Sequence, residues 1–254
     1  MAEAAFRDAG HGYDEFGLHP PAVARAVLAS AVLYERYFRV ESHGIENVPA
    51  SGPAILVANH GGVLPVDGAM LCLDLLRRST PPRIPRPITD YFVPRLPVVS
   101  TLFSRLGVVS GTRANVRRLL EAGELLVLFP EGVSGPAKPF RERYQLQHWS
   151  VGFAELALRH RVAVIPVAIV GAEESWPLAA KLTGVRALGV PYLPVPATLL
   201  PLPTHYRIEY GTPIFLGDDD PDDPSTVASA AATVRAQLEH LRADARSARR
   251  GVFR

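Results

Sequence analysis

Three short, continuously apolar segments constrain the fold of this chain more than any other feature. Residues 54–58, 125–129 and 162–170 consist of valine, isoleucine, leucine, alanine and phenylalanine, with one proline, Pro166. Strands of this composition are buried on both faces, as in a parallel sheet that carries helices on each side. Segments with helical spacing of apolar residues separate them, so we expect an α/β protein.

The other segments fit a layered domain with a central, mostly parallel or mixed sheet flanked by helices. The last predicted strand, 205–210, alternates polar and apolar residues, which is typical of a position near a sheet edge. The remaining predictions are helices at 68–78, 98–106, 115–122 and 150–160 and strands at 88–93 and 107–110.

The length of 254 residues fits a single domain with a full core around one sheet. In the N-terminal helix, apolar residues recur at steps of three and four from Val23 to Phe38. We favour packing of this stripe on the core; the alternative is that the helix lies on a membrane, which the basic residues Arg36 and Arg39 would suit. We divide the domain, 1–254, into a flexible N-terminus at 1–19, this amphipathic helix at 20–40, a core at 45–215 and a C-terminal helix at 224–250.

The composition excludes some classes of protein and favours contact with anions. The single cysteine, Cys72, cannot form an intrachain disulfide, which excludes disulfide scaffolds and cysteine-based zinc sites. The net charge is only +2, but residues 218–223 collect five aspartates, so we expect local basic patches elsewhere. Phosphate or anionic lipid is therefore the expected partner, and the sequence contains no nucleic-acid motif.

The hydropathy pattern predicts a cytoplasmic protein that lies on a membrane surface. The N-terminal residues lack the basic and apolar regions of a signal peptide, and no apolar run reaches the roughly 18–20 residues that cross a bilayer. The mean hydropathy of +0.11 is nevertheless high for a freely soluble protein. Residues 176–203 are rich in proline and leucine and predict an irregular apolar flap, which either covers the core or contacts acyl chains.

A histidine and an aspartate flank a glycine-rich loop directly after the first apolar segment. His60 is followed by Gly61 and Gly62, and Asp67 comes seven residues after the histidine. If Asp67 accepts a hydrogen bond from one ring nitrogen of His60, the other nitrogen can take a proton from a substrate hydroxyl. The alternative is that His60 only packs in the loop, while Asp67 caps the helix predicted at 68–78.

Two more polar side chains follow predicted strands. Arg113 lies just beyond 107–110, where its guanidinium and nearby backbone amides suit a phosphate, or where it simply begins a helix in solvent. Glu131 follows 125–129 in a Pro-Glu-Gly turn, where its carboxylate can bind a hydroxyl or an arginine, or serve as an ordinary turn residue.

Taken together, four segments in this order resemble the glycerophospholipid acyltransferase superfamily, typified by 1-acylglycerol-3-phosphate acyltransferases. They are residues 59–68, 107–113, 129–132 and 164–168, and the resemblance spans residues 45–215. The resemblance implies that His60 is a general base oriented by Asp67. It further implies acceptor binding and structural support by other motif residues, namely binding by Arg113, Glu131 and Gly132 and support by Pro130 and Pro166.

Two departures from the family pattern bear on the acceptor. Six residues separate His60 from Asp67 where the usual motif has four, which resembles a longer-loop branch that includes diacylglycerol-acyltransferase-like members. Residues 133–135 read Val-Ser-Gly where the family commonly has Thr-Arg, a second phosphate contact. Lys138 and Arg141, with Arg143 close by, are the candidates to supply the missing charge; the alternative is a solvated loop.

The resemblance implies transfer of a fatty acyl group from an acyl-CoA or acyl carrier protein thioester to a hydroxyl of a lysophospholipid or related glycerolipid. Backbone amides of Gly61 and Gly62, or Arg113, would stabilise the oxyanion. No cofactor is expected, and no metal, because the histidines show no ligand spacing. The alternatives are a neutral acceptor such as diacylglycerol, or a lipid-binding protein without turnover; a hydrolase is disfavoured because a Gly-x-Ser-x-Gly elbow is missing.

Overall fold

A seven-stranded mixed sheet forms the centre of the computed structural model, which describes residues 11–182 and 192–253. The strands of the described residues are β1 (Glu41–His43), β2 (Ala54–Ala58), β3 (Pro85–Thr89), β4 (Val109–Ser110), β5 (Leu125–Leu128), β6 (Ala163–Val170), β7 (Leu178–Leu182), β8 (Leu193–Pro196) and β9 (Arg207–Tyr210). Strands β7 and β8 pair with each other outside the seven-stranded sheet. The helices are α1 (Pro20–Val32), α2 (Val66–Arg78), α3 (Val99–Arg105), α4 (Arg113–Glu121), α5 (Gly152–His160), α6 (Ala172–Ser175) and α7 (Pro224–Ala248).

The sheet has the strand order β1-β9-β6-β2-β5-β3-β4. The five strands from β6 to β4 run parallel, whereas β9 is antiparallel to β6 and carries β1 parallel to itself at the edge. The α/β class and the mostly parallel, mixed sheet predicted from the sequence are therefore confirmed. Because β2, β5 and β6 are neighbours, the loops that follow them meet at one edge of the sheet, which we call the carboxyl edge.

The three apolar segments form the middle of the sheet, and successive side chains along each strand point alternately into two cores. On β2, Leu56 belongs to the cluster under α1 and α2, whereas Ile55 and Val57 belong to the cluster under α4, α5 and α7. All residues of β2 and β6 are buried, since helices cover both faces of the sheet. The predicted stripe of the N-terminal helix also points inward, because Val23, Tyr34 and Phe38 are buried.

Several predicted bounds are shifted. The strand predicted at 88–93 lies at Pro85–Thr89 instead, as β3. Its two prolines are tolerated there because β4 pairs only with the end of the strand that follows them. The proline-rich flap predicted over 176–203 is not irregular throughout, since β7 and β8 form an antiparallel hairpin; residues 183–191 lie outside the described part of the chain. No helix in the described ranges is long and apolar enough to span a membrane.

The flexible segment predicted at 1–19 differs from the structure where it can be compared. Residues 1–10 lie outside the described part, but residues 11–19 are held to the core. The carboxylate of Asp14 accepts hydrogen bonds from the backbone N–H groups of Phe16 and Leu18 and contacts the guanidinium of Arg86 at 2.6 Å. Arg86 is completely buried, so this segment supplies the charge that its guanidinium needs.

We expect Asp14→Ala to lower the free energy of unfolding by about 3–5 kcal/mol, because it leaves the buried Arg86 without its carboxylate. The neighbouring Glu15→Ala removes an exposed ion pair with Arg118 and is expected to cost at most about 1 kcal/mol. Urea denaturation of both variants measures the difference. Equal losses in the two variants would show that the buried pair has no special weight.

Candidate active site

His60 and Asp67 meet at the carboxyl edge, directly after β2. Nδ1 of His60 lies 2.7 Å from Oδ2 of Asp67, and the same carboxylate oxygen accepts the backbone N–H of Gly61 at 2.8 Å. The side chain of Asp67 is fully buried, whereas that of His60 keeps 14% of its surface exposed. Since Nδ1 is engaged, Nε2 is the ring nitrogen that can meet a substrate.

The loop between the two residues folds back through its glycines and an early helix start. Helix α2 begins at Val66, two residues before the predicted start, so Asp67 lies in its first turn and is not its N-cap. Gly62 has φ +84, a backbone conformation that side-chain-bearing residues rarely adopt. A Cβ on Gly61 would lie 2.5 Å from Cγ of Glu173, so this position has room only for glycine.

Asn59, just before the histidine, fastens the end of β2 to β6. Its side-chain amide donates to the carbonyl of Ile169 at 2.9 Å and its carbonyl accepts the N–H of the same residue at 2.8 Å. The ring centre of Phe129, the residue after β5, lies 4.5 Å from that of the imidazole of His60. The histidine is therefore held by both strands that flank β2.

Glu131 is a buried anchor for the histidine loop. Its Oε1 accepts the backbone N–H of His60 at 3.0 Å, and its Oε2 accepts that of Gln147 at 2.8 Å. Oε2 also lies 3.4 Å from Nζ of Lys138. Both carboxylate oxygens thus have protein partners, which differs from the expectation of a carboxylate that faces the acceptor.

Lys138 is buried as well, because two carboxylates compensate its charge. Nζ donates to Oε1 of Glu173 at 2.7 Å and to the carbonyl of Gln145 at 3.1 Å, besides the contact with Glu131. The other oxygen of Glu173 accepts the N–H of Tyr144 at 2.8 Å. The expected solvated or phosphate-facing lysine is therefore an internal ion-pair residue instead.

Burial and neighbouring charges act on His60 in opposite directions. Burial lowers the pKa of His60, but the carboxylates of Asp67 and Glu131 raise it by more, so the pKa lies above the ordinary value of 6.5. Lys138 counteracts the two carboxylates. A reaction that needs the neutral imidazole would therefore gain rate as the pH rises through this raised pKa.

The remaining predicted site residues lie at different depths. Arg113 starts α4, three strands from β2 or roughly 14 Å along the sheet, and its 84%-exposed guanidinium pairs with Glu155 at 2.9 Å. Arg141 is equally exposed and pairs with Glu142.

The residues predicted to support the site are packed into the protein. In the Pro-Glu-Gly turn, the carbonyl of Pro130 accepts the backbone N–H of Ser150, and Gly132 has a left-handed backbone conformation. Pro166 is buried within β6.

Sequence reasoning missed four residues that build the site: Asn59, Gly135, Glu173 and Arg242. A Cβ on Gly135 would lie 2.8 Å from both Cβ and O of His60, so the 132–138 loop packs tightly against the histidine. Arg242, on α7, is buried near the carboxylates of Glu131 and Glu173. Among these four, only Asn59 could have been found from the sequence, because it belongs to the Asn-His-Gly-Gly run.

The described residues contain no group of three His, Cys, Asp or Glu side chains placed to hold a metal ion.

A small pocket of about 10 Å³ opens beside the histidine loop. Gly62 forms one wall, and Phe140, Trp176 and Leu178 supply apolar surface. Arg143 also lines it, with its guanidinium 4.5 Å from the ring centre of Phe140 and bonded to a backbone carbonyl. Of the basic residues suggested after the Pro-Glu-Gly turn, Arg143 is thus the one that lines a pocket without being buried.

Family comparison agrees with this architecture. The model of the Acyltransferase family matches residues 39–170, which include His60, Asp67, Arg113 and Glu131. The chain belongs to this family. The glycerophospholipid acyltransferase resemblance expected from the motifs is thereby confirmed, and family and fold support an acyltransferase activity.

Relatives and solved structures extend the picture. An uncharacterised protein of Mycobacterium leprae is 39% identical over 94% of this chain and 69% of its own length. A chicken (Gallus gallus) protein named DGAT1/2-independent enzyme synthesizing storage lipids is 30% identical over 79% of this chain and 58% of its own length. The crystal structure of the 1-acyl-sn-glycerophosphate acyltransferase PlsC from Thermotoga maritima shares the fold, with a TM-score of 0.58 at 18% identity, covering 90% of this chain and 81% of that one.

We expect Gly135→Ala to destabilise the protein by about 1–3 kcal/mol, because the added methyl group overlaps His60 and the surrounding core is closely packed. Gly152→Ala, at the start of α5, places its methyl at an ordinary 3.7 Å from Ser150 and serves as the control. Thermal or urea unfolding compares the two. A Gly135→Ala protein as stable as Gly152→Ala would show that the loop does not press on the histidine.

Proposed function

We propose that this protein is an O-acyltransferase that moves a fatty acyl group from an acyl-CoA or acyl carrier protein thioester to a hydroxyl of a lysophospholipid or related glycerolipid. The observation that carries the proposal is the 2.7 Å contact between His60 and the buried Asp67 at the carboxyl edge of the sheet. A neutral imidazole held in one tautomer by a carboxylate is suited to accept a hydroxyl proton.

In the proposed reaction, Nε2 of His60 takes the proton of the acceptor hydroxyl while its oxygen attacks the thioester carbonyl. The carbon–sulfur bond then breaks, and the imidazolium returns the proton to the leaving thiolate, so the histidine is regenerated. Gly61 already donates its N–H to Asp67. Gly62 is therefore the glycine of the loop whose amide we assign to the developing oxyanion, a contribution of about 3 kcal/mol in comparable sites.

The acceptor class is the second part of the proposal, and one observation favours a neutral acceptor such as diacylglycerol. Lys138 is buried between two carboxylates, and Arg113 and Arg141 are exposed and paired. These cations are thus already compensated within the protein. Arg143 lines the pocket beside Gly62 and would serve a phosphate-bearing acceptor, so a comparison of acceptors with and without phosphate separates the two classes.

We also propose that the carboxyl edge faces a membrane. Leu199 and Leu200 are 91% and 69% exposed. The segment that carries them is tied to the helical turn Leu33–Tyr37, which follows α1, by the hydrogen bond from Tyr37 to the carbonyl of Pro201. Leu33 of this turn is exposed. Strand β1 begins a few residues after Tyr37, and its first residue, Glu41, pairs with Arg207 of β9, which in turn pairs with Val170 at the end of β6. These leucines therefore lie at the same edge of the sheet as His60. Exposed leucines around a lipid site are suited to a bilayer surface.

The first test is thiol release from a long-chain acyl-CoA with lysophosphatidate, other lysophospholipids, monoacylglycerol and diacylglycerol as acceptors. We expect release with at least one acceptor, and we expect His60→Ala to lower kcat by about 10²–10⁴-fold, as for the loss of a general base. Exposed His240→Ala, on α7, is the matched control and should retain wild-type rates. An enzyme whose rate is unchanged in His60→Ala would contradict the mechanism, and lipid binding without turnover would identify a lipid-binding protein.

The second test measures binding to vesicles that contain anionic phospholipid. We expect the double variant Leu199→Ser/Leu200→Ser to bind about tenfold or more weakly, since each leucine loses the transfer free energy of a buried side chain. Phe215→Ser is the control, because Phe215 is 75% exposed but lies next to Ile214, which pairs with the opposite end of β6. Equal weakening in the two proteins would contradict the proposed orientation.

A further inference from the structure

A closed group of buried charges lies behind the histidine loop. Lys138 contacts the carboxylates of Glu131 and Glu173, with side-chain exposures of 2%, 0% and 9%. Arg242 approaches the same two carboxylates from α7; burial lowers its pKa, and the two carboxylates oppose that shift. The group therefore combines two negative and two positive charges, which compensate one another in a region with little water.

Each carboxylate of this group touches the histidine loop. Glu131 accepts the backbone N–H of His60, and Cγ of Glu173 occupies the space where a side chain on Gly61 would lie. The side chain of Lys138 joins the two and is only 2% exposed, at the wall of the pocket beside Gly62 that Glu173 also lines. Glu173 and Arg242 both lie beyond residue 170, where the match to the family model ends.

We propose that Lys138 and Glu173 are positioning residues for His60, whose ion pair fixes the histidine loop and balances the negative charge of Glu131 beside the imidazole. The proposal rests on the proposed function, in which His60 is the base. It assigns to a buried lysine, outside the histidine motif, control over both the position of the imidazole and the charge around it.

The charges that influence His60 come from several elements of the fold. Asp67 on α2, Glu131 in the turn after β5 and Lys138 in the following loop act on the imidazole directly. Glu173 on α6 and Arg242 on α7 act on it through Lys138 and Glu131. Two further titratable groups near Asp67 stay neutral, because burial raises the pKa of Cys72 to about 12 and that of Tyr206 well above its ordinary value. Within the group itself, burial raises the pKa of Glu173, and the positive charges of Lys138 and Arg242 oppose that rise.

Two single variants should move the titration of His60 in opposite directions. Lys138→Met removes a positive charge beside Glu131, so the pKa of His60 rises. Glu173→Gln removes a negative charge and leaves Lys138 paired with Glu131 alone, so the pKa of His60 falls. The double variant Lys138→Met/Glu173→Gln restores the charge balance and should titrate near the wild type. In all three we expect kcat to fall by up to about 100-fold, since the loop loses its support.

The experiment follows the imidazole of His60 by NMR between pH 5 and 9, with the resonance assigned by its absence in His60→Gln. The same variants are assayed for thiol release across that range. Lys181→Met, at the exposed other lysine of the chain, and the exposed Glu46→Gln are the controls and should leave the titration unchanged. Lys138→Arg keeps the charge and should titrate like the wild type.

The outcomes separate this proposal from the proposed function. Opposite shifts in the two single variants, absent from the controls, support it. Shifts of the same sign, or no shift in folded protein, overturn it. If Lys138→Met fails to fold, the double variant and Glu173→Gln still decide. NMR shifts that the acid limb of the rate does not follow would leave the positioning role standing and contradict His60 as the base.

Discussion

The carboxylate of Asp67 is fully shielded from water, and it organises the whole site. One of its oxygens holds the Nδ1 of His60 and the amide of Gly61, and the other accepts the amide of Gly68. A buried carboxylate is stable only with such partners, and its place in the first turn of α2 adds the favourable helix dipole. The loop of six residues therefore closes on itself, with the imidazole in one orientation.

The sheet brings the other parts to this carboxylate. The loops after β2, β5 and β6 meet because these strands are parallel neighbours. Asn59 ties the start of the histidine loop to β6, Glu131 accepts the N–H of His60, and Glu173 packs against Gly61. Lys138 and Arg242 then compensate the two glutamates. The histidine is thus supported by buried side chains that lie far apart along the chain.

Local patterns predicted much of the fold and part of the site. The apolar segments gave the central strands within one or two residues, and the motifs led to His60 and Asp67, which the structure brings together at 2.7 Å. The prediction was poorest where long-range contacts override local signals. Segment 1–19 was predicted to be flexible, yet Asp14 binds the buried Arg86. The prolines of β3 are tolerated because β4 is too short to pair with them.

The sequence by itself determined the α/β class, the order of the motifs and the candidate pair of His60 and Asp67, because periodicity and short spacing are local properties. Only the tertiary structure decided what the charged residues do. Lys138 and Arg141 are three positions apart, yet one is buried between carboxylates and the other is exposed. Lys138 and Glu173 are 35 residues apart, and no local pattern records their pairing, because it arises from the adjacency of β5, β2 and β6.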